Sequence, residues 1–321
     1  MNKIIFMCLL TCCVASMTAL AKSAEQPLDK MVAIVNDDVI SGTELNHAVD
    51  TAKVQIAQEH VAAPPANVLQ KQVLDQLINK KIQLQIAKQA GIEIKDADVD
   101  AAIAHIASQN HLSISSLYEH INQEGMTTSE YRHEIHDQMA MQKLQQQEVA
   151  SKITISPQEV TNFMHSRTWQ TNATKEYHLQ DILIPFSDTP STEEIAKAKK
   201  HADMVMAKIK QGQNFDQVAL SESSGNQALQ GGDLGWRQLP EIPTAFADQV
   251  VRMHPNDSAG PIQSPNGFHI IRLVEERALS AKQVATSRKA IESLLLQQKF
   301  EEAVQNWVSK LRSQAFVVIN T

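Results

Sequence analysis

Cysteine is almost missing from this sequence. Its three cysteines, Cys8, Cys12 and Cys13, all lie within the first 13 of 321 residues. Past that point the chain has no disulfide, no thiolate nucleophile and no thiolate metal site. Aromatic residues are also scarce at 4%, while methionine numbers 11, so the core must be aliphatic and adaptable. Basic residues are outnumbered, 29 against 36 acidic, for a net charge of −7. That balance excludes the basic stripe that a nucleic-acid partner needs. No late stretch is apolar and long enough to cross a bilayer. No HExxH, P-loop or nucleophile-elbow motif occurs, which leaves no cofactor, nucleotide or metal in the reading.

What is present begins with a leader. Lys3, an apolar run over 4–14 and Ala19-Leu20-Ala21 have the order of a secretory signal, predicting residues 1–21 as a signal peptide and an exported, periplasm-type protein. The remainder, with 43% hydrophobic and 20% charged residues, is globular in composition and long enough for two or three cores.

Residues 31–35 read as a strand, and Asn36-Asp37-Asp38 as the turn into a brief second one. Ser41-Gly42-Thr43-Glu44 is a capping box opening a helix to about His60, and Pro64-Pro65 breaks it. Helical periodicity then marks 67–90, about 97–109 with Asp96 as its cap, 114–123 and 128–151. Ser156-Pro157-Gln158-Glu159 starts one more helix. The polar stretch 168–174 reads as a linker. From Lys175 the pattern becomes α+β: a strand over 177–184, a helix over 192–211, a short helix after Asn214-Phe215-Asp216, and the glycine-rich Gly231-Gly232-Asp233-Leu234-Gly235-Trp236. A helix over 243–253 and a hairpin of 259–263 with 268–274 follow. A long helix over 278–311 and a strand at 316–319 complete the chain. A lone strand at each end of a helical body leaves unpaired backbone, so 31–35 is expected to pair with 316–319. The α+β module would then be an insertion, with domains at 22–174, 175–277 and 278–321.

The glycine-rich loop, followed some thirty residues later by Gly267-Phe268-His269-Ile270-Ile271, resembles the parvulin family of peptidyl-prolyl isomerases. Asn214-Phe215-Asp216 and Ala245-Phe246 strengthen the likeness. The flanking Val35-Asn36-Asp37-Asp38-Val39-Ile40-Ser41 hairpin and the long helix after it resemble the N-terminal domain of the SurA family of periplasmic chaperone-isomerases. The resemblance implies a mostly helical α+β protein with a single inserted parvulin-like domain. It also implies binding of unfolded outer-membrane polypeptides and proline-containing peptides. By the same likeness His269, Asp181 and Ser223 or Ser224 stand at the catalytic positions, and Leu234, Ile242 and Phe246 form the proline pocket. Trp236 joins the substrate-binding set or serves as a structural anchor. The chain departs from the family where a histidine precedes the first strand's aliphatic run, since Asp181 occupies that place.

Rotation of an X–Pro bond faces a resonance barrier of roughly 18–20 kcal/mol and takes tens to hundreds of seconds unaided. An apolar cradle that desolvates the amide disfavours its planar polar form without any covalent step. Asp181 beside His269 would hold that imidazole protonated. Two readings stay open, an active isomerase-chaperone and a holdase whose parvulin domain only binds peptide. His133 and His136, with Glu130, Glu134 and Asp137 on one helix, read as a solvated charged face and not as a metal site.

Overall fold

A computed structural model describes residues 29–58, 63–123, 125–187, 189–280 and 288–320. The expected signal peptide lies outside these residues, as do 59–60 at the end of the first expected helix and 281–287 near the start of the last.

The chain opens with strands β1 (Met31–Val35) and β2 (Asp38–Ser41), joined through Asn36 at φ 51°. Helices α1 (Gly42–Gln58), α2 (Ala66–Gln89), α3 (Asp96–Gln109), α4 (Ile114–Gln123) and α5 (Thr128–Glu148) follow. Leu74, Ile78 and Ile82 recur at four-residue spacing along α2 and are buried, together with Leu69 and Val73. Each such side chain contributes about 1.5–3 kcal/mol by leaving water. They pack on Ala33, Val35 and Ile40 of the hairpin and on Leu45, Ala52 and Ile56 of α1. The cap position of α3 is Lys95, whose backbone N–H donates to Asp98 Oδ2 at 3.3 Å, with Asp96 already inside the helix. Asp96 was the expected cap; the i+3 carboxylate at Asp98 decides the start instead.

α6 (Pro157–His165) begins where Ser156, Pro157 and Glu159 indicate, with a complete capping box. The expected linker at 168–174 is not one. Ser166 caps a further short helix, α7 (Arg167–Asn172), because Trp169 on it is buried against Phe163 and the apolar core of the next layer.

β3 (Lys175–Pro185) is the central strand of the second sheet, ordered β4-β3-β6-β5 and antiparallel throughout, with β4 at Asp233–Gln238, β5 at Ser258–Ser264 and β6 at Gly267–Ala278. The strand alternates, and both faces are buried. Ile182 and Ile184 face α8 (Thr192–Lys210) and α9 (Phe215–Glu222). Tyr177 and Leu179 face the other way, onto Ile242 and onto Phe246 of α10 (Thr244–Val250). β6 runs through Ala278, so the last helix does not begin at 278; its described part is α11 (Arg288–Gln314).

The final strand β7 (Val317–Ile319) pairs antiparallel with β1 in the order β2-β1-β7, so the first and last strands do share a sheet. The helical body and the β3–β6 module are also in contact. Leu220 and Leu229 of the module join the core around α2, and Gln72 Nε2 donates to the Ser223 carbonyl at 2.9 Å. Among the described residues no helix is long and apolar enough to cross a membrane.

Candidate functional site

Asp181 and His269 meet because β3 and β6 pair with Asp181 opposite Ile271 and Leu183 opposite His269. Both side chains therefore project from the face that carries Tyr177 and Leu179. His269 Nδ1 lies 3.0 and 2.9 Å from the two Asp181 carboxylate oxygens, so Nδ1 carries the proton and donates. On its other side Nε2 sits 3.2 Å from Asn266 Oδ1, an acceptor, and 3.0 Å from Ser264 Oγ. The Ser264 hydroxyl in turn donates to Asn266 Oδ1. An imidazole facing a carboxylate on one edge and an amide oxygen on the other is best served by two N–H groups. Burial draws the His269 pKa down, but the Asp181 carboxylate outweighs it and holds the imidazole above its usual value. His269 is only 5% exposed, so this is an interior charge pair.

The apolar wall stands next to it. The Phe246 ring lies 5.6 Å from the His269 ring, tilted by 40°. Ile242 and Phe246 are buried and Leu234 is partly buried, all three in one cluster with Ile271 and Leu273. The structure thus brings Asp181, His269, Leu234, Ile242 and Phe246 together on one face.

Two of the expected site residues take other positions. Ser223 is 1% exposed, and its hydroxyl accepts the backbone N–H groups of Leu183 and Gly225 at 3.1 Å each. It clamps the loop to β3, while Ser264 and Asn266 are the polar groups on His269. Trp236 is turned away from the cradle. It pairs in register with His178, whose ring is 5.3 Å away, and the Arg277 guanidinium stacks 3.9 Å over the indole. His178 alternates out of the face occupied by Tyr177 and Leu179, and its cross-strand partner goes with it. His178 Nε2 is 2.8 Å from Asp233 Oδ1, a hydrogen bond on that side of the sheet.

Ser264 and Asn266 read in the sequence as an ordinary turn. The signal that could have found them is their place, three to five residues ahead of His269 in a tight hairpin.

The glycine loop sets the height of the site. Gly232, at φ +79°, lies so close to β3 that an added Cβ would meet the Asp181 carbonyl oxygen at 2.4 Å. Its own carbonyl accepts the Asp181 N–H at 2.9 Å.

α11 lies across this face. Ile291 is buried in the cluster of Ile242 and Phe246, and Leu294 and Leu295 pack against it. Arg237 is 3.5 Å from Glu301, and Asn266 Nδ2 donates to Gln305 Oε1 at 3.4 Å. Glu302 lies within electrostatic reach of His269; burial pushes its carboxyl pKa up, and Gln298 and His269 draw it partly back. Beside this contact a crevice of about 560 Å³ opens between Leu183 and Ser223 of the module, Gln72 and Asp75 of α2, and Gln305 and Arg312 of α11.

In the helical body a groove of about 1050 Å³ runs between α1, α2 and α5, floored by Ala52, Val73 and Leu77 and edged by Glu44, His47 and Lys80. His133, His136 and Asp137 also bring donor atoms within 4.8 Å of one another. The Lys80 ammonium stands 3.0 Å from Asp137 and 2.6 Å from Glu134, so a cation already fills that position. The cluster is an ion-paired face tying α5 to α2.

Comparison with known proteins gives two family matches. The SurA N-terminal domain matches residues 28–145, and the PPIC-type PPIase (rotamase) domain matches residues 181–275. The Chaperone SurA of Legionella pneumophila (strain Paris) is 42% identical over 262 residues, 82% of this chain and 61% of the relative. The Chaperone SurA of Nitrosococcus oceani is 35% identical over 289 residues, 89% of this chain and 68% of the relative. The chain thus spans about three fifths of the length of the first of these. A solved structure from work on two SurA-like chaperones of Campylobacter jejuni is 12% identical and covers 91% of this chain and 99% of its own, with a TM-score of 0.43. With the rotamase domain carrying the Asp181–His269 cradle and the SurA N-terminal domain supplying the helical body around it, the chain belongs to the SurA chaperone family.

Proposed function

We propose that this is an exported, periplasmic chaperone that holds unfolded outer-membrane polypeptides and isomerises their X–Pro bonds in its single parvulin domain. The observation that carries the isomerase reading is the placement of a buried carboxylate–imidazole pair against an apolar cradle, with Phe246 5.6 Å from His269. A proline ring seated on Leu234, Ile242 and Phe246 would take its amide out of water, which destabilises the planar dipolar form relative to the twisted one. The Asp181–His269 pair fixes Ser264 and Asn266 at the edge of that seat and supplies a positive field to the twisting carbonyl. No covalent intermediate, nucleotide or metal enters this reading.

The holding function is assigned to the groove between α1, α2 and α5. Its apolar floor and charged rim suit an extended polypeptide of mixed sequence. The experiment that tests both halves uses the full chain: a proline-peptide isomerisation assay, and light scattering of an unfolded β-barrel protein diluted out of denaturant. Catalysis that falls at least tenfold in His269→Ala, with aggregation still suppressed, is the expected result. Wild-type protein that neither accelerates isomerisation nor suppresses aggregation overturns the proposal. A holdase whose parvulin domain only binds peptide is the second reading, favoured by one observation, the Ser223 hydroxyl spent on the backbone N–H groups of Leu183 and Gly225 and not on His269.

A further inference from the structure

The rim of the groove between α1, α2 and α5 is not evenly charged. Asp29, Glu44, Glu130 and Glu134 line it, against the single ammonium of Lys80. That ammonium is already engaged, 2.6 Å from Glu134 and 3.0 Å from Asp137. Lys81 lies 3.5 Å from Glu44 but also donates to the Val39 carbonyl, away from the lining. Asp29 and Glu130 are held by neutral donors. Asp29 accepts the Thr43 N–H at 3.0 Å, and Glu130 accepts the Thr127 N–H at 2.8 Å and its hydroxyl at 2.7 Å. Hydrogen bonds, chiefly from the Ser41 hydroxyl to Asp29 and from the Thr127 N–H to Glu130, keep both carboxyls below the ordinary carboxylate range. The acids also gather in one part of the groove. Glu44 on α1 and Glu134 on α5 meet the adjacent residues Lys81 and Lys80 of α2. Glu130 stands one turn before Glu134, within electrostatic reach of His47 on the opposite rim. Thr51, Gln55 and Val73 continue the lining without an acid.

We infer that this groove selects its occupant by charge. It takes an extended polypeptide segment whose apolar residues lie on Ala52, Val73 and Leu77 and whose lysines or arginines lie toward Asp29, Glu44 and Glu130; segments rich in acid are turned away. This rests on the holding reading of the groove. A second copy of the chain is a poorer occupant, because it is itself acidic at −7, and an anionic lipid surface is repelled for the same reason. The strength of the selection suits a chaperone. One exposed ion pair is worth a factor of up to about five, so three together discriminate by about tenfold and still let the segment leave.

The test uses the full-length protein and three fluorescein-labelled peptides that share an apolar half. The other half carries three lysines, three glutamines or three glutamates. Anisotropy at low salt is expected to show the lysine peptide binding about tenfold more tightly than the glutamine peptide, with the glutamate peptide weakest and the spread shrinking as salt is added. In the groove variant, Asp29→Asn with Glu44→Gln and Glu130→Gln, the spread should fall to within about twofold. Asparagine and glutamine keep the acceptors that Thr43 and Thr127 use, so the helix starts are retained. The control variant, Glu148→Gln with Glu193→Gln and Asp203→Asn, removes the same charge from exposed positions outside the lining and should keep the wild-type spread. Equal affinity for the three peptides, a spread that the groove variant keeps, or one that the control variant loses equally overturns the inference. So does a concentration-dependent dimer that the groove variant abolishes, which makes a second copy the occupant. If the peptides rank as stated but an unfolded β-barrel protein still aggregates, the holding reading fails and the charge selection stands.

Discussion

Replacing Gly232 and Gly235 separately by alanine tests how the glycine-rich loop builds the site. Both residues have left-handed backbones, at φ +79° and +70°. A side chain at such a position costs about 1–2 kcal/mol. Stiffening of the unfolded chain returns about 0.4–1 kcal/mol in either variant and cancels from the comparison. The surroundings differ. A Cβ on Gly235 meets nothing within 4 Å, whereas one on Gly232 meets the Asp181 carbonyl oxygen at 2.4 Å, its carbon at 3.2 Å and Ala219 Cβ at 3.3 Å. The first two atoms are backbone of the central strand and cannot rotate away, which adds about 1–3 kcal/mol of overpacking. Gly235→Ala should therefore cost about 1 kcal/mol and Gly232→Ala about 1–3 kcal/mol more than that. For a unit of 150–250 residues each kcal/mol moves Tm by about 2–4 °C, so the two variants should separate by several degrees. Urea unfolding followed by tryptophan fluorescence is the assay, with Trp169 and Trp236 as reporters in and against the module. Isomerase kcat/KM should fall further in Gly232→Ala, because the strain is applied to the residue that partners His269. Equal destabilisation by the two variants would refute the claim that close approach to β3, and not the turn alone, fixes this loop.

Ser223→Ala leaves the buried N–H of Leu183 and the partly buried N–H of Gly225 without this acceptor, and should cost about 1–3 kcal/mol, mostly from Leu183, read from urea midpoints. Trp236→Ala removes the stack with Arg277 and His178, and should leave KM for a proline peptide unchanged while lowering stability by about 1 kcal/mol or more. The His269 pKa is raised in the folded state, so the pairing with Asp181 stabilises fully below the unfolded imidazole value of about 6.5 and is lost as pH rises through the folded value. The difference in urea midpoint between wild type and Asp181→Asn should accordingly shrink between pH 6 and pH 9. A constant or widening difference would place the imidazole in its neutral form.

The parts of the fold that could be read from the sequence are those with a local cause. Ser156-Pro157-Gln158-Glu159 starts α6 where its capping chemistry requires. The paired terminal strands follow from the cost of unpaired backbone, and Asp181 and His269 follow from their strands and motif. Misreadings arose where a distant contact decided the outcome. The polar run at 168–174 is helical because Trp169 has a core to enter. Trp236, which the family likeness offers as a substrate-binding residue or a structural anchor, lies off the cradle face: the register shifts between Leu179 and Gln180, opposite Gly235 and Asp233, and the extra residue in β4 turns the indole to the other side. The contacts of α11 with the module left no trace in any local pattern, since Glu301 and Gln305 are unremarkable positions on an amphipathic helix. Only the tertiary contact shows what they touch.

The β1–β7 pairing bears on the order of events when this molecule folds. Asn36 and Phe316 are hydrogen-bonded across 280 positions of sequence, whereas the four strands of the module come from one uninterrupted stretch. Pairings of short separation form early, and those of long separation wait. The sheet of the helical body cannot close until β7 reaches β1, so the module can form while that sheet is still open. Anything that delays delivery of residues 317–319 leaves β1 without its second neighbour while the four strands of the module are already paired.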